Sequence, residues 1–160
     1  MAVKIPMSLY SGVPKQLQPG DSISVPITGV NEIPQTNDES GSIVICTPVY
    51  NDVADGVKKA KADAIGTTKV LGLVSDTTIS ASASGNIAIS GVLTATTAQW
   101  DAVFGTTGGL AAGTVYYLSA ATAGLATVTS PTANPQYSIA LGIAISTTEF
   151  KIEIGQLYGL

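Results

Sequence analysis

Hydrophobic and polar residues alternate over much of this chain, which is the pattern of half-buried β-strands. Four segments after residue 41 add the β-branched side chains that favour strands, at residues 42–50, 57–63, 67–75 and 85–93. Asp55 and Gly56 separate the first two segments. Because both residue types accept positive φ, this dipeptide predicts a tight hairpin turn. The pattern predicts an all-β fold, a β-barrel or a β-sandwich.

The first 40 residues follow a different pattern. Five of the eight prolines fall within the first 34 residues, and proline lacks the N–H that a central strand donates. Residues 21–30 alternate Ile23, Val25 and Ile27 with Ser and Pro, which predicts an edge strand. Residues 31–41 are polar and predict a loop. We therefore expect an extended N-terminal arm over residues 1–40 and a β domain over residues 41–160.

One segment has the spacing of a helix, residues 96–104. Thr96 is followed three residues later by Gln99, which is the spacing of a capping box. Trp100, Val103 and Phe104 then share one helical face. The spacing predicts a single short helix, with Trp100 as a core side chain rather than a ligand platform, because the rest of its face is apolar.

The second half of the chain repeats the outline of the first. Three short matches carry the repeat: Val115-Tyr116 with Val49-Tyr50, Gly124-Leu125 with Gly56-Val57, and Leu141-Gly142-Ile143 with Leu71-Gly72-Leu73. Residues 152–157 match residues 87–93 in the same way. Two interpretations stay open: one duplicated four-strand unit over 43–93 and 111–157, or two unrelated meanders that both use Gly turns. If the unit is duplicated, the halves share a strand order.

Composition removes several function classes. The chain has no His, the commonest general base and transition-metal ligand. A single cysteine, Cys46, cannot form an intrachain disulfide and is expected as a small apolar residue in a strand. Asp52 and Asp55 flank the predicted turn, where solvated carboxylates are expected rather than a glycosidase pair or a calcium loop. We expect no enzymatic activity, no cofactor and no metal site.

Charge argues against nucleic acid and membrane as partners. All seven basic residues are Lys and the net charge is −4. Four lysines cluster between residues 58 and 69, but Asp52, Asp55 and Asp63 lie among them, so the clustered cations that bind phosphates are not expected. The chain has no apolar run of about 18 residues, and its first residues lack the apolar core of a signal peptide.

A long stretch of the chain is almost uncharged. Asp101 is the only charged residue between Asp76 and Glu149. Exposed strand edges normally carry Lys or Pro as protection against pairing with other chains. The stretch therefore predicts a surface that packs against partners. The alternative is an exposed surface rich in hydroxyl groups.

Several segments resemble structural proteins of tailed bacteriophages, most closely the small capsid decoration (cement) proteins. They are "TPVYNDVADGVKKAKADAIGTTKVLGLVSD", "GLAAGTVYYLSAATAGLATVTSPT" and "IALGIAIS", and the resemblance covers residues 41–157. Related segments occur in phage head-fibre and tail-fibre modules, where a G-x-VYYLS hairpin also leads to a G-x-A-x-S strand. The resemblance implies an all-β homotrimer without enzymatic activity, and it transfers no functional residue.

The resemblance also implies a location and partners. A decoration protein is made in the host cytoplasm and sits on the outer capsid surface of the virion, where it contacts copies of itself and the major capsid protein. The alternative is a head-fibre, tail-fibre or receptor-binding module. Residues 12–23 resemble the start of such chains, where they form an attachment arm. The expected partner contacts are therefore apolar residues of the arm: Ile5, Leu9, Tyr10, Val13 and Leu17.

Overall fold

The computed structural model describes residues 7–10, 13–16 and 29–160, with side chains from residue 29 onward. The predicted all-β fold with one helix is confirmed. The first strands are β1 (Met7–Tyr10), β2 (Val13–Gln16), β3 (Asn31–Asn37), β4 (Ile43–Val44), β5 (Pro48–Val53), β6 (Gly56–Lys59), β7 (Val70–Val74), β8 (Thr78–Ile79) and β9 (Ser84–Thr94). After helix α1 (Thr97–Phe104) come β10 (Val115–Leu118), β11 (Ala126–Thr127), β12 (Tyr137–Ser138), β13 (Ala140–Ala144), β14 (Glu149–Ile152) and β15 (Tyr158–Gly159).

Five strands close into a barrel in the order β3-β6-β5-β7-β9, because β9 pairs with both β7 and β3. The contact between β3 and β6 is parallel, and the other contacts around the barrel are antiparallel. β4 and β8 pair in a small separate sheet. One compact cluster of buried aliphatic side chains comes from these elements: Ile43, Val49, Val57, Val74, Ile79 and Ile87.

The sheet continues beyond the barrel. The last residues of β9, Gly91–Thr94, pair with β14, and β13, β10 and β11 follow in that order. A larger core joins side chains from both halves of the chain. At its centre, the rings of Trp100, Phe104, Tyr116 and Phe150 contact one another, with centroids 4.8 to 6.0 Å apart. We call residues 31–90 the first unit and residues 91–160 the second unit.

Helix α1 confirms the prediction for residues 96–104. Thr96 is the N-cap, and its side chain and that of Gln99 form the reciprocal capping box. Trp100 is fully buried, and its Nε1 donates a hydrogen bond to the Thr148 carbonyl at 3.0 Å. Trp100 is therefore a core side chain, as its apolar face predicts.

The two units share a strand order. In the first unit β5 lies between β6 and β7, and β7 pairs with β9. In the second unit β10 lies between β11 and β13, and β13 pairs with β14. Gly72 and Gly142 occupy corresponding positions on β7 and β13. A Cβ on either glycine would collide with a carbonyl oxygen of the next strand, that of Ala88 or Lys151.

The register of the repeat differs from the match made on sequence. Gly72 lies opposite Val49, and Gly142 lies opposite Tyr116. The position of Val49 is therefore taken by Tyr116 and not by Val115. A register shift follows directly in each unit, between Val49 and Tyr50 and between Tyr116 and Tyr117. The repeated element thus includes a register shift in the strand, which an alignment of similar residue types does not reveal.

The other matches are displaced as well. Ala126, rather than Leu125, corresponds to Val57. Val57 directly precedes Lys58, the partner of Tyr50, and Ala126 directly precedes Thr127, the partner of Tyr117. Phe150, rather than Ile152, corresponds to Ile87, because Phe150 lies opposite Ala144 as Ile87 lies opposite Val74. The corrected positions are all buried in both units. Repeating core positions therefore differ in side-chain size, which explains the misleading sequence match.

The predicted loop over residues 31–41 is wrong for Asn31–Asn37, which form β3 inside the barrel sheet. The polar side chain of Asn37 is fully buried but satisfied. Its Nδ2 donates to the carbonyls of Gly41 and Ile79, and its Oδ1 accepts from the Glu39 N–H. Pro34 precedes the two residues that pair with β6, so its missing N–H interrupts no ladder there.

Two other predicted strands change in extent. The strand over 42–50 is split into β4 and β5, with Cys46 at φ 69° in the turn between them. The return strand over 57–63 ends at Lys59. The edge strand over 21–30 lies outside the described residues except for its last two. In the β5–β6 hairpin, Asp55 has a positive φ of 60°, as the dipeptide predicts.

Candidate interaction surface

The five predicted arm contacts stay predictions. Ile5 and Leu17 lie outside the described residues. Leu9 and Tyr10 belong to β1 and Val13 to β2, and these strands form an antiparallel pair in which Tyr10 lies opposite Val13.

The second unit exposes an apolar sheet face. The register sets Val115 beside Ile143, Ile143 beside Lys151, and Lys151 beside Val92, across β10, β13, β14 and β9. Residues opposite each other in a sheet share one face, so these side chains form a row. Ile145 follows Ile143 by two residues and is 48% exposed, while Val115 is 38% exposed. We call Val92, Val115, Ile143 and Ile145 the outer face.

A groove runs along the outer face. Its volume is about 300 Å³, and its walls come from Val115, Ala140, Gly142, Ile143 and Glu153. The absence of a side chain on Gly142 allows β13 to approach the Lys151 carbonyl closely. The groove therefore combines an aliphatic floor with one carboxylate at its rim.

The corresponding face of the first unit is buried. Pro48 corresponds to Val115, Leu73 to Ile143 and Ala88 to Lys151, since each has the same place in the strand pairing. All three are buried, Leu73 and Ala88 completely. Leu73 and Ala88 belong to the core cluster that contains the aromatic side chains of the second unit. The second unit thus covers the outer face of the first, and its own outer face is left exposed.

β14 and the residue after it carry the charges of the outer face. Glu149, Lys151 and Glu153 alternate with the inward side chains of Phe150 and Ile152. Lys151 Nζ lies 2.9 Å from a Glu153 carboxylate oxygen. The Ser146 hydroxyl donates to Glu149 at 3.2 Å. The charges along this strand therefore alternate in sign, negative, positive, negative.

Two of the four lysines in the cluster of the first unit, Lys58 and Lys61, pair with carboxylates. Lys58 Nζ lies 2.6 Å from Asp52, and Lys61 Nζ lies 2.7 Å from Asp63. The hydrogen bond to Asp52 raises the pKa of Lys58, and the bond to Lys61 lowers the pKa of Asp63. Each pair offsets one positive charge of the cluster.

The remaining side chains that could react or bind a ligand have structural roles. Cys46 is fully buried, and burial raises the pKa of its thiol, which keeps it protonated. Asp101 accepts hydrogen bonds from the Thr106 hydroxyl at 2.6 Å and from the N–H groups of Gly108 and Gly109 at 2.9 and 2.8 Å. These bonds, that of Thr106 foremost, lower the pKa of Asp101. Asp101 therefore fixes the loop that follows α1.

The described residues offer neither a cluster of metal ligands nor a membrane-spanning helix. Within residues 7–10, 13–16 and 29–160, no group of three His, Cys, Asp or Glu side chains is placed to hold a metal ion. In that same part of the chain, no helix has the length and apolar character to cross a membrane.

Sequence reasoning did not identify the outer face. Its signal is the alternation of Val115 with Tyr116 and of Ile143 with Ala144, in which alternate residues point to opposite faces. The match of Val115 to Val49 hid this signal, because Val49 points into the barrel core. Comparison with known proteins adds no further guide, since no protein-family model and no curated protein matches the chain.

Proposed function

We propose that this protein is a capsid decoration protein, which binds the outer surface of a tailed-phage head and stabilises the shell. The observation that carries the proposal is the aliphatic outer face, on which Val115 and Ile145 are exposed. The resemblance of residues 41–157 to decoration proteins supports the same function. Its partners would be copies of itself, as a homotrimer, and the major capsid protein.

The proposed mechanism is stabilisation by mass action. A protein that binds the assembled shell but not the free capsid subunits shifts the equilibrium toward the shell. At a free concentration of about 100 times Kd, each occupied site gains about 2.7 kcal/mol. The N-terminal arm would supply further contacts by adding a strand to a capsid sheet, where backbone hydrogen bonds give affinity and side-chain pockets give register.

The test is binding to purified phage shells that lack a decoration protein. We expect saturable binding at repeated positions over the whole shell and a higher temperature of shell disruption. Absence of binding to expanded shells would contradict the proposal. Unexpanded shells are the matched control, because a decoration protein distinguishes the two states.

The alternative function is a head-fibre, tail-fibre or receptor-binding module. A hollow of about 310 Å³ in the second unit is lined by hydroxyl and amide side chains, among them Ser119, Thr127, Thr129, Thr132 and Gln136. Its lining holds no aromatic side chain on which a sugar could stack. Copy number separates the functions: a decoration protein recurs at every capsomer, and a fibre module is confined to few positions on the particle.

A further inference from the structure

We draw no further inference here: the strongest candidate, the apolar groove along the outer face of the second unit, whose walls include Val115 and Ile143, carries no proposal because nothing in the part of the chain that the structure describes shows what covers it.

Discussion

Gly72 and Gly142 each bring a strand so close to its neighbour that a Cβ would collide with a carbonyl oxygen. Gly142 also has a positive φ of 150°, which side chains disfavour. We expect Gly72→Ala and Gly142→Ala to lower the free energy of unfolding by about 1–3 kcal/mol or more, because backbone atoms must move apart. Denaturant unfolding measures the change.

The control for these variants is Gly66→Ala. A Cβ at Gly66 meets no atom within 4 Å, and its φ is not in the positive range. We expect a change within about 0.5 kcal/mol, as for other surface substitutions. If G72A unfolds at the same denaturant concentration as G66A, the close approach of β7 and β9 is not as described.

Asp101 gives the stability a dependence on acid pH. Hydrogen bonds from Thr106, Gly109 and Gly108 lower its pKa in the folded protein. A lowered folded pKa stabilises the protein above the unfolded pKa of about 3.9, and this stabilisation is lost as pH falls through the folded pKa. We expect the melting temperature of the unmodified protein to fall more steeply below about pH 4 than that of Asp101→Asn.

Two threonine variants separate this effect from general acid unfolding. Thr106→Val removes the strongest of the hydrogen bonds to Asp101, whereas Thr107→Val changes an exposed neighbour. We expect T106V to flatten the melting profile in the same acid range and T107V to follow the unmodified protein. Identical profiles for T106V and T107V would show that the hydroxyl of Thr106 does not hold the carboxylate.

At the residue level, burial and backbone conformation could be predicted where they depend on the residue type and its neighbours in the sequence. Trp100 is buried because its helical neighbours are apolar, and Asp55 takes positive φ because its type permits it. Prediction failed for Asn37, whose burial depends on the carbonyls of Gly41 and Ile79. Ile79 is far from Asn37 in the sequence, so the polar side chain of Asn37, considered alone, predicts a loop.

The corresponding ends of β3 and β9 show how one position in the fold can hold different elements. Ile33 lies opposite Ile87, and Leu93 lies opposite Phe150, the residue that corresponds to Ile87. Thr36 therefore corresponds to Thr96. Thr36 continues as a strand that pairs with β6, and Thr96 caps α1. The capping box diverts the chain into a helix, and the second unit has no strand equivalent to the end of β3.

Removal of the cap should therefore affect the second unit. Thr96→Ala removes the hydroxyl that accepts a hydrogen bond from the Gln99 N–H, and we expect a loss of about 1 kcal/mol. Thr96→Ser keeps the hydroxyl and should retain most of the stability. Thermal unfolding followed by Trp100 emission measures both variants. Equal melting temperatures for T96A and T96S would contradict a role for the cap.

Elements with a local signal could be predicted, and those that depend on distant partners could not. The β5–β6 hairpin and α1 are specified by adjacent residues. The strand β3 is polar, contains Pro34 and pairs in parallel with β6, which lies beyond β4 and β5 in the chain. Parallel pairs need long connections, so no short pattern marks them. The sequence pattern predicts a barrel or a sandwich, and the choice between them depends on this strand, because β3 closes the barrel.

On the scale of the whole molecule, the chain combines a closed first unit with an open second unit that packs over it. Both units have the same strand order, but the outer face of the second unit is exposed and the corresponding face of the first unit is buried. The N-terminal arm precedes this body, and its β1 and β2 pair with each other. The proposed contacts with other copies and with the capsid can therefore belong to different parts of the chain.

Deletion of residues 2–18 tests this division. The deletion removes β1, β2 and the five predicted contacts Ile5, Leu9, Tyr10, Val13 and Leu17. Ordering an arm on a capsid costs about 1–2 kcal/mol per residue in backbone entropy, so its apolar anchors must provide the affinity. We expect the truncated protein to keep its melting temperature and its association and to lose binding to shells.

The control for the deletion addresses charge. Residues 2–18 contain Lys4 and Lys15 and no acidic residue, so the deletion makes the chain more acidic as well as shorter. The double variant Lys4→Ala/Lys15→Ala has the same net charge as the truncated protein and keeps every apolar anchor. We expect this variant to bind shells, because the proposed contact uses the apolar anchors and not the cations. Undiminished binding of the truncated protein would assign the capsid contact to the β body, and loss of binding in the double variant would assign it to the two lysines.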